Sequence, residues 1–170
     1  MTTGELSPAS ARRQLTEATL AIYTSITLLG VIAAASWKGL FVDEPELLVL
    51  IIGTSVTLAV AHGWASIAAH RFVHRTRLSR LEKRQELRGT AVILVVGAAA
   101  TATFVISTLA TDTLDTSVRL TLGALVAVLF IVGVAGSRRR DDSWPRALGW
   151  GLADASIGIV ALVLKIILGS

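Results

Sequence analysis

Long apolar runs separated by short charged segments are the feature that most restricts how this chain can fold. A helix needs about 20 apolar residues to cross a hydrocarbon core of about 30 Å, and lipid offers no partner for an unpaired backbone amide. Five runs meet this length, and they cover residues 16–36, 47–70, 90–111, 118–136 and 146–168. The sequence therefore predicts an all-α protein, a polytopic bundle of five transmembrane helices. Because the fifth run contains Asp154 and several glycines, four spans and a re-entrant segment are the alternative.

Composition favours a single transmembrane domain over residues 1–170. The chain is 53% hydrophobic and only 16% charged, whereas soluble domains usually carry about 25% charged residues. A net charge of +4 would suit nucleic acid, but such binding needs basic residues and aromatic platforms on a folded soluble face. The basic residues lie in short loops instead, so we expect no nucleic-acid partner. The absence of cysteine excludes disulfides and thiolate metal sites.

The lysines and arginines fall mainly on one side of the predicted bundle. They are concentrated in the N-terminal segment 1–15, in the connection 73–89 and in the connection after the fourth run. The other side holds only Lys38, Arg119 and Lys165, together with several acidic residues. Short loops rich in lysine and arginine stay in the cytoplasm. We therefore expect a cytoplasmic N-terminus, a basic cytoplasmic connection over 73–89 and a C-terminus outside.

Arginines beside the predicted cytoplasmic boundary are candidates for contacting lipid head groups. Clustered basic residues next to a span attract an anionic leaflet by about 1 kcal/mol each. The candidates are Arg71, Arg75, Arg138, Arg139 and Arg140. An ordinary solvated loop is the alternative interpretation of such a cluster. The stretch 75–89 is also expected to continue the second helix beyond the bilayer, because its leucines lie near helical spacing.

Small residues at four-residue spacing are expected to bring the helices together. Hydrophobic burial gives little drive for association in lipid, so close contact between small residues has to hold a bundle. The candidates are Ala61, Ala65 and Ala69, then Gly97, Gly123 and Ala127, and finally Gly151 and Ala155. We expect these residues to pack within one chain, and a seam between two copies is the alternative.

A small group of polar residues lies deep in the predicted spans. At 1.5 Å per residue, His62, Asp154 and Tyr23 lie roughly 15, 12 and 10 Å from the same membrane boundary. Ionisable groups at such depth usually face the bundle interior and form pairs. We therefore predict a buried cluster of these three residues, with Glu17 and Ser66 nearby. The cluster would be a hydrogen-bonded contact between helices, a relay for a proton or cation, or part of a ligand pocket.

His70 and His74 are four residues apart, a spacing that can place two imidazoles on one metal. They lie among arginines at the membrane boundary, where positive charge opposes a cation. We therefore interpret them as interfacial contacts and expect neither a metal site nor a cofactor. The sequence contains no nucleophile elbow, phosphate-binding glycine loop or paired catalytic carboxylates. On these grounds the chain is not expected to be an enzyme.

Several stretches resemble those of a group of small multi-pass integral membrane proteins from actinobacteria. They are AIYTSITLLGVIAA, VTLAVAHGWASIAAHRF, RQELRGTAVIL and GIVALVLKIIL. This resemblance implies a multi-pass fold in a bacterial plasma membrane, without implying chemistry. The stretch LTEATLAIYTSITLL also resembles the bacterial relatives of lysosomal potassium channels, whose first span carries Phe-Ser-Asp. Here Leu15, Thr16 and Glu17 stand in place of that motif.

Transport of a small ion or solute is the first function that these observations suggest. In that hypothesis His62 and Asp154 exchange a proton or contact the cargo, and Tyr23 orients the histidine. The alternative is a non-catalytic membrane scaffold or accessory subunit that binds lipid or a partner protein. Both hypotheses include membrane lipids and a homo-oligomer, because five helices enclose little room for a path.

Overall fold

The computed structural model describes residues 8–40, 43–73, 80–111, 113–140 and 142–169. Within these ranges the chain is all-helical. Its five helices are α1 (Pro8–Trp37), α2 (Glu44–Val73), α3 (Arg80–Ala110), α4 (Leu114–Arg138) and α5 (Trp144–Gly169). All five are long and apolar enough to cross a membrane, as a multi-pass membrane protein requires. The prediction of an all-α chain with five candidate spans is therefore confirmed.

The boundary between α2 and α3 differs from the sequence-based expectation. Helix α2 ends at Val73 and α3 begins at Arg80, so residues 80–89 form the first turns of α3. The prediction that 75–89 continues the second helix is wrong for this part, and 75–79 lie outside the described residues. Leucines at helical spacing indicate that a segment is helical, but they do not indicate which neighbouring helix it belongs to.

Short side-chain and backbone contacts define the turn between α1 and α2. Gly39 adopts a left-handed φ of 59° just after α1 ends, a conformation that glycine accepts without steric cost. Leu40 N–H then donates to Ala35 O at 3.1 Å. At the start of α2, Asp43 Oδ1 accepts a hydrogen bond from Glu46 N–H at 3.1 Å. This aspartate caps an otherwise unpaired amide at the helix N-terminus.

Helix α1 lies at the centre of the bundle. It packs against each of the other four helices, and the remaining packed pairs are α2 with α3, α3 with α4 and α4 with α5. Helices α2 and α5 do not form a packed pair. The four outer helices therefore make an arc around α1, with an opening between α2 and α5. We call the end at which α1, α3 and α5 begin and α2 and α4 end the arginine end.

The core of the bundle is apolar and closely packed. Its largest fully buried side chains come from α1, α2, α3 and α4, and they are Leu28, Leu29, Ile32, Leu47, Ile51, Ile93, Phe104, Leu125 and Leu129. Large apolar side chains also cover the outside, including Val60, Trp64, Val95, Leu109 and Leu152. A water-soluble monomer rarely exposes an apolar surface of this extent. The surface therefore suits contact with lipid.

Small residues bring two pairs of helices into close contact. A Cβ added at Gly97 of α3 would collide with Ser55 of α2. A Cβ added at Gly133 of α4 would lie 2.9 Å from the Cα of Gly151 on α5. Ala155 is also buried. The predicted packing role of Gly97, Gly151 and Ala155 is confirmed.

The prediction of packing within one chain is wrong for two rows of small residues. These are Ala61, Ala65 and Ala69 on α2, and Gly123 and Ala127 on α4, all of which are exposed. Nothing lies within 4 Å of a Cβ placed at Gly123. Four-residue spacing shows that residues share one helix face, but the rotation of that helix in the bundle decides where the face points. In α2 the inward row is Leu47, Ile51, Ser55 and Ala59.

Candidate functional site

His62 lies on the face of α2 that packs against α3. Its Nε2 is 3.9 Å from Oε2 of Glu86, and the two side chains are 23% and 40% exposed. This separation is too long for a direct hydrogen bond. The two groups form an ion pair only when the imidazole is protonated. His62 therefore has a titratable neighbour on α3, and that neighbour is Glu86.

A glycine leaves the space that the imidazole of His62 occupies. A Cβ added at Gly89 would lie 2.8 Å from His62 Nε2 and 3.0 Å from Cδ1 of Leu20. One residue further along α3, the hydroxyl of Thr90 donates to Glu86 O at 3.1 Å. The imidazole is thus held between α1, α2 and α3. Ser66, one turn further along α2, is half-buried.

Asp154 occupies a different seam, between α4 and α5. A Cβ added at Gly133 would lie 2.6 Å from Asp154 Oδ2 and 2.9 Å from the carbonyl oxygen of Trp150. The carboxylate therefore lies in space that is open because residue 133 has no side chain. This placement depends on the close approach of α4 and α5. Ser156 lies nearby on α5 and donates to Leu152 O at 2.7 Å.

Tyr23 faces outward and is 56% exposed. It lies in an exposed row of α1 with Thr16 and Thr19. The hydroxyls of Thr19 and Thr27 donate to the carbonyls of Leu15 and Tyr23, each at 2.8 Å. These threonines are satisfied by their own helix, and therefore need no partner from another span.

The structure does not bring Tyr23, His62 and Asp154 together as the sequence analysis predicted. Each lies on a different helix and in a different environment, and the helices of His62 and Asp154 are not a packed pair. Similar depths in the membrane do not establish proximity, because helix rotation and helix order remain free. The predicted relay would have to cross α1, which lies between the two seams.

Glu17 lines a groove at the arginine end, between α1, α3 and α4. The groove has a volume of about 450 Å³. Its polar residues are Gln14, Glu17, Arg139 and Arg140, and its apolar walls are Leu15, Ala18, Ala21, Val92, Val132, Ala135 and Gly136. We call this cavity the arginine groove. It combines charged groups with apolar walls, an arrangement suited to an amphipathic ligand.

The other arginines predicted to contact lipid have different positions. Arg138 donates through Nη1 to Asp142 O at 2.7 Å, and its guanidinium lies 4.7 Å from the ring centroid of Trp144. Arg138 therefore belongs to the turn between α4 and α5. Arg71 lies in the last turn of α2, and Arg75 lies outside the described residues.

Of the two interfacial histidines, the structure describes only His70. His70 ends the predicted second span and is half-buried, and His74 lies outside the described residues. Within the described ranges, no group of three or more histidine, aspartate or glutamate side chains could hold a metal ion.

Sequence reasoning missed a second groove, between α1 and α5 at the end opposite to the arginines. This cavity of about 460 Å³ is lined by Ile26, Gly30, Ala34, Lys38, Ala161, Leu164 and Lys165. We call it the lysine groove. The signal in the sequence was the row of Gly30, Ala34 and Lys38 at four-residue spacing. The sequence analysis placed Lys165 on the side opposite to most arginines but did not associate it with α1.

Two buried hydroxyls in the middle of α1 were also missed. Thr24 and Ser25 are fully buried. Their Oγ1 and Oγ atoms have no hydrogen-bond partner among the described residues. Leu20, one turn before Thr24, contacts the position of Gly89 beside His62. These hydroxyls are polar groups in an otherwise apolar core.

No protein-family model, curated protein or solved structure matches this chain. The two grooves and the separated titratable residues are therefore the features of the molecule that bear on its function. The grooves combine cationic side chains with apolar walls, whereas His62 and Asp154 lie in separate contacts between helices.

Proposed function

We propose that this chain is a non-catalytic membrane scaffold or accessory subunit that holds anionic lipid in the arginine groove. The observation that carries the proposal is the presence of Arg139 and Arg140 beside an apolar cavity between three helices. Phosphate groups attract exposed guanidinium groups, and an acyl chain suits small apolar walls. The binding mode needs no catalytic group and no continuous polar path through the bundle.

The distribution of basic and acidic residues supports one orientation of the bundle in the membrane. The arginine end carries Arg84, Arg88, Arg138, Arg139, Arg140 and Arg146, whereas α2 begins at the other end with Glu44 and Glu46. Basic segments remain on the cytoplasmic side of a membrane. We therefore assign a cytoplasmic N-terminus and an outside C-terminus in the bacterial plasma membrane. The arginine groove then faces the cytoplasmic leaflet, in which anionic lipids attract basic residues.

In the arginine groove, the positively charged residues lie next to the apolar walls. Arg139 and Arg140 follow the end of α4 and are exposed. Among the described residues, neither guanidinium forms an ion pair with a carboxylate. Ala135 and Gly136 continue the same wall into the bundle, and Ala18 and Ala21 form the facing wall on α1. A lipid phosphate at the two arginines would therefore direct one acyl chain along small residues.

Lipid binding by the purified protein tests the proposal. Each basic residue near an anionic surface contributes about 1 kcal/mol. The double substitution of Arg139→Gln and Arg140→Gln should therefore weaken binding of phosphatidylglycerol about 30-fold. Native mass spectrometry of detergent-solubilised protein, titrated with this lipid, measures the change. Phosphatidylcholine, which has no net charge, is the matched lipid.

Arg119→Gln is the matched control variant. Arg119 is exposed at the opposite end and pairs with Asp115 at 2.9 Å, so its loss should leave lipid binding at the arginine groove unchanged. Equal phosphatidylglycerol affinity in the wild type and the double arginine variant would overturn the proposed function. Circular dichroism and gel filtration establish that each variant remains folded.

Transport of a proton or small cation is the second candidate function. Thr24 and Ser25 favour it, because these two adjacent hydroxyls are buried in the core without a partner among the described residues. They lie on the central helix, between the His62 seam and the Asp154 seam. A hydrogen-bonded relay needs polar groups in such an intermediate position.

Flux through reconstituted vesicles tests the transport candidate. If both titratable residues carry protons, His62→Ala and Asp154→Asn should each lower proton flux at least tenfold. Tyr23→Phe is a matched control, because Tyr23 is exposed. Normal flux in both folded variants would exclude this candidate and would leave the lipid-binding proposal intact.

A further inference from the structure

The lysine groove lies between α1 and α5, far along both helices from the arginine end. Its floor on α1 is formed by Ile26, Gly30 and Ala34, and its wall on α5 includes Ala161 and Leu164. Its volume of about 460 Å³ falls within the range of about 300–1,000 Å³ that is typical of ligand pockets. The groove is thus large enough for part of an amphipathic molecule.

The missing side chain of Gly30 allows the stem of Lys165 to lie across α1. A Cβ added at Gly30 would lie 3.4 Å from both Cγ and Cε of Lys165, and 3.8 Å from Cδ. Gly30 is seven residues before Trp37, at which α1 ends. At 1.5 Å per residue, the stem therefore crosses α1 about 10 Å inside the end of that helix. This position holds a cation alongside apolar walls.

The described residues that line the groove carry positive charge. Lys38 and Lys165 are the charged residues among them, and none of these described lining residues is acidic. The contacts between His62 and Glu86 and between Arg119 and Asp115 do not involve this groove. A charged group at membrane depth is costly unless it pairs with an opposite charge. The groove is therefore electrostatically complementary to an anion.

We infer that the lysine groove binds one anionic phospholipid, with its phosphate at Lys38 and Lys165 and one acyl chain along the floor on α1. The apolar floor favours a lipid over a free phosphate ion, because a free ion would leave that surface without a partner. Under the proposed orientation, this lipid comes from the outer leaflet. The lysine groove shares no residue with the arginine groove, so the inference stands even if the proposed function fails.

Native mass spectrometry of a variant that carries Arg139→Gln and Arg140→Gln measures lipid binding at the lysine groove without the contribution of the arginine groove. Phosphatidylglycerol is the probe, and phosphatidylcholine and inorganic phosphate are titrated separately. Adding Lys38→Gln and Lys165→Gln should lower phosphatidylglycerol affinity about 30-fold, because each cation contributes about fivefold. Lys165→Arg should retain the affinity, since it keeps the positive charge. Arg119→Gln, at the same end of the bundle, should leave the affinity unchanged.

A substitution that changes the shape of the lysine groove distinguishes a bound lipid from a bound free anion. Ala34→Phe fills the floor of the groove without changing its charge, so it should weaken phosphatidylglycerol at least fivefold. Binding of inorganic phosphate with the same affinity as phosphatidylglycerol would overturn the inference. Unchanged phosphatidylglycerol affinity in the folded double lysine variant would also overturn it.

Amine acylation of the wild-type protein gives an independent readout that needs no substitution. Bound phosphatidylglycerol should protect Lys38 and Lys165 from an amine-reactive reagent, whereas phosphatidylcholine should protect them less. Lys83, an exposed residue at the arginine end, provides the internal reference for reactivity. Equal labelling of Lys38 and Lys165 with and without phosphatidylglycerol would contradict the assigned site.

Discussion

Individual glycines determine where the polar side chains of this bundle can lie. Gly89 leaves space for the imidazole of His62, and Gly133 leaves space for the carboxylate of Asp154. The two positions differ in what a new side chain would meet. At Gly89 it would meet the ends of His62 and Leu20, which can move. At Gly133 it would meet the backbone of α5, which cannot move without separating two helices.

Gly133→Ala should therefore destabilise the protein by about 1–3 kcal/mol, which is the usual cost of overpacking a close contact. The added methyl group would lie 2.9 Å from the Cα of Gly151. Unfolding in detergent measures the free energy, and Gly123→Ala on the same helix is the control. Nothing lies within 4 Å of a Cβ at Gly123. Equal stability of the two variants would show that α4 and α5 do not meet at Gly133.

A substitution of Glu17 tests whether the ligand in the arginine groove is anionic. Its carboxylate lines the same cavity as Arg139 and Arg140, so it should repel a phosphate. Glu17→Gln should therefore strengthen phosphatidylglycerol binding about two- to fivefold, as removal of one unfavourable charge near the surface predicts. Native mass spectrometry measures this change. Weaker phosphatidylglycerol binding by this variant would contradict the electrostatic account of the groove.

At the scale of helices, sequence patterns predicted the five spans but not the rotation of each helix in the bundle. Twenty apolar residues predict a span because the cost of unpaired backbone groups in lipid is independent of neighbouring helices. The partner of His62 depends on helix rotation and order, and for this reason Glu86 was missed. The same limit explains the error at Ala61, Ala65 and Ala69, which share a face that points outward. Gly97 and Gly151 were predicted correctly as packing residues, whereas Gly123 was not, because the rotation of α4 points it outward.

The inward and outward faces of α2 can be separated by two matched substitutions. Ala59 is 4% exposed and packs near Leu20 and Ile93, whereas Ala61 is exposed. Ala59→Leu should destabilise the folded protein by about 1–3 kcal/mol through overpacking. Ala61→Leu should leave its stability within about 0.5 kcal/mol, as expected for a surface substitution. Unfolding of both variants in the same detergent makes the comparison, and a reversed order would contradict the rotation of α2.

At the scale of the whole molecule, the arc of outer helices leaves one side of α1 uncovered. Thr16, Thr19 and Tyr23 form an exposed row on α1, and the opening between α2 and α5 is the side of α1 that no other helix covers. A phenol hydroxyl that faces lipid has no partner there, and unpaired polar groups are costly in hydrocarbon. A second copy of the chain could supply that partner, in line with the homo-oligomer that the sequence analysis expects. Symmetric dimers place equivalent surfaces against each other, so two such openings would meet.

Cysteine cross-linking in membranes tests this arrangement directly, because the chain contains no native cysteine. Thr19→Cys places a thiol in the exposed row of α1, and Ile131→Cys places one on the outward face of α4. A dimer that covers the opening brings two Thr19 positions together and keeps the two Ile131 positions apart. Mild oxidation should therefore yield a disulfide-linked dimer from Thr19→Cys, because a disulfide requires Cα atoms within about 7 Å. Cross-linking from Ile131→Cys alone would move the interface to α4, and no cross-link at either position would leave α1 covered by lipid alone.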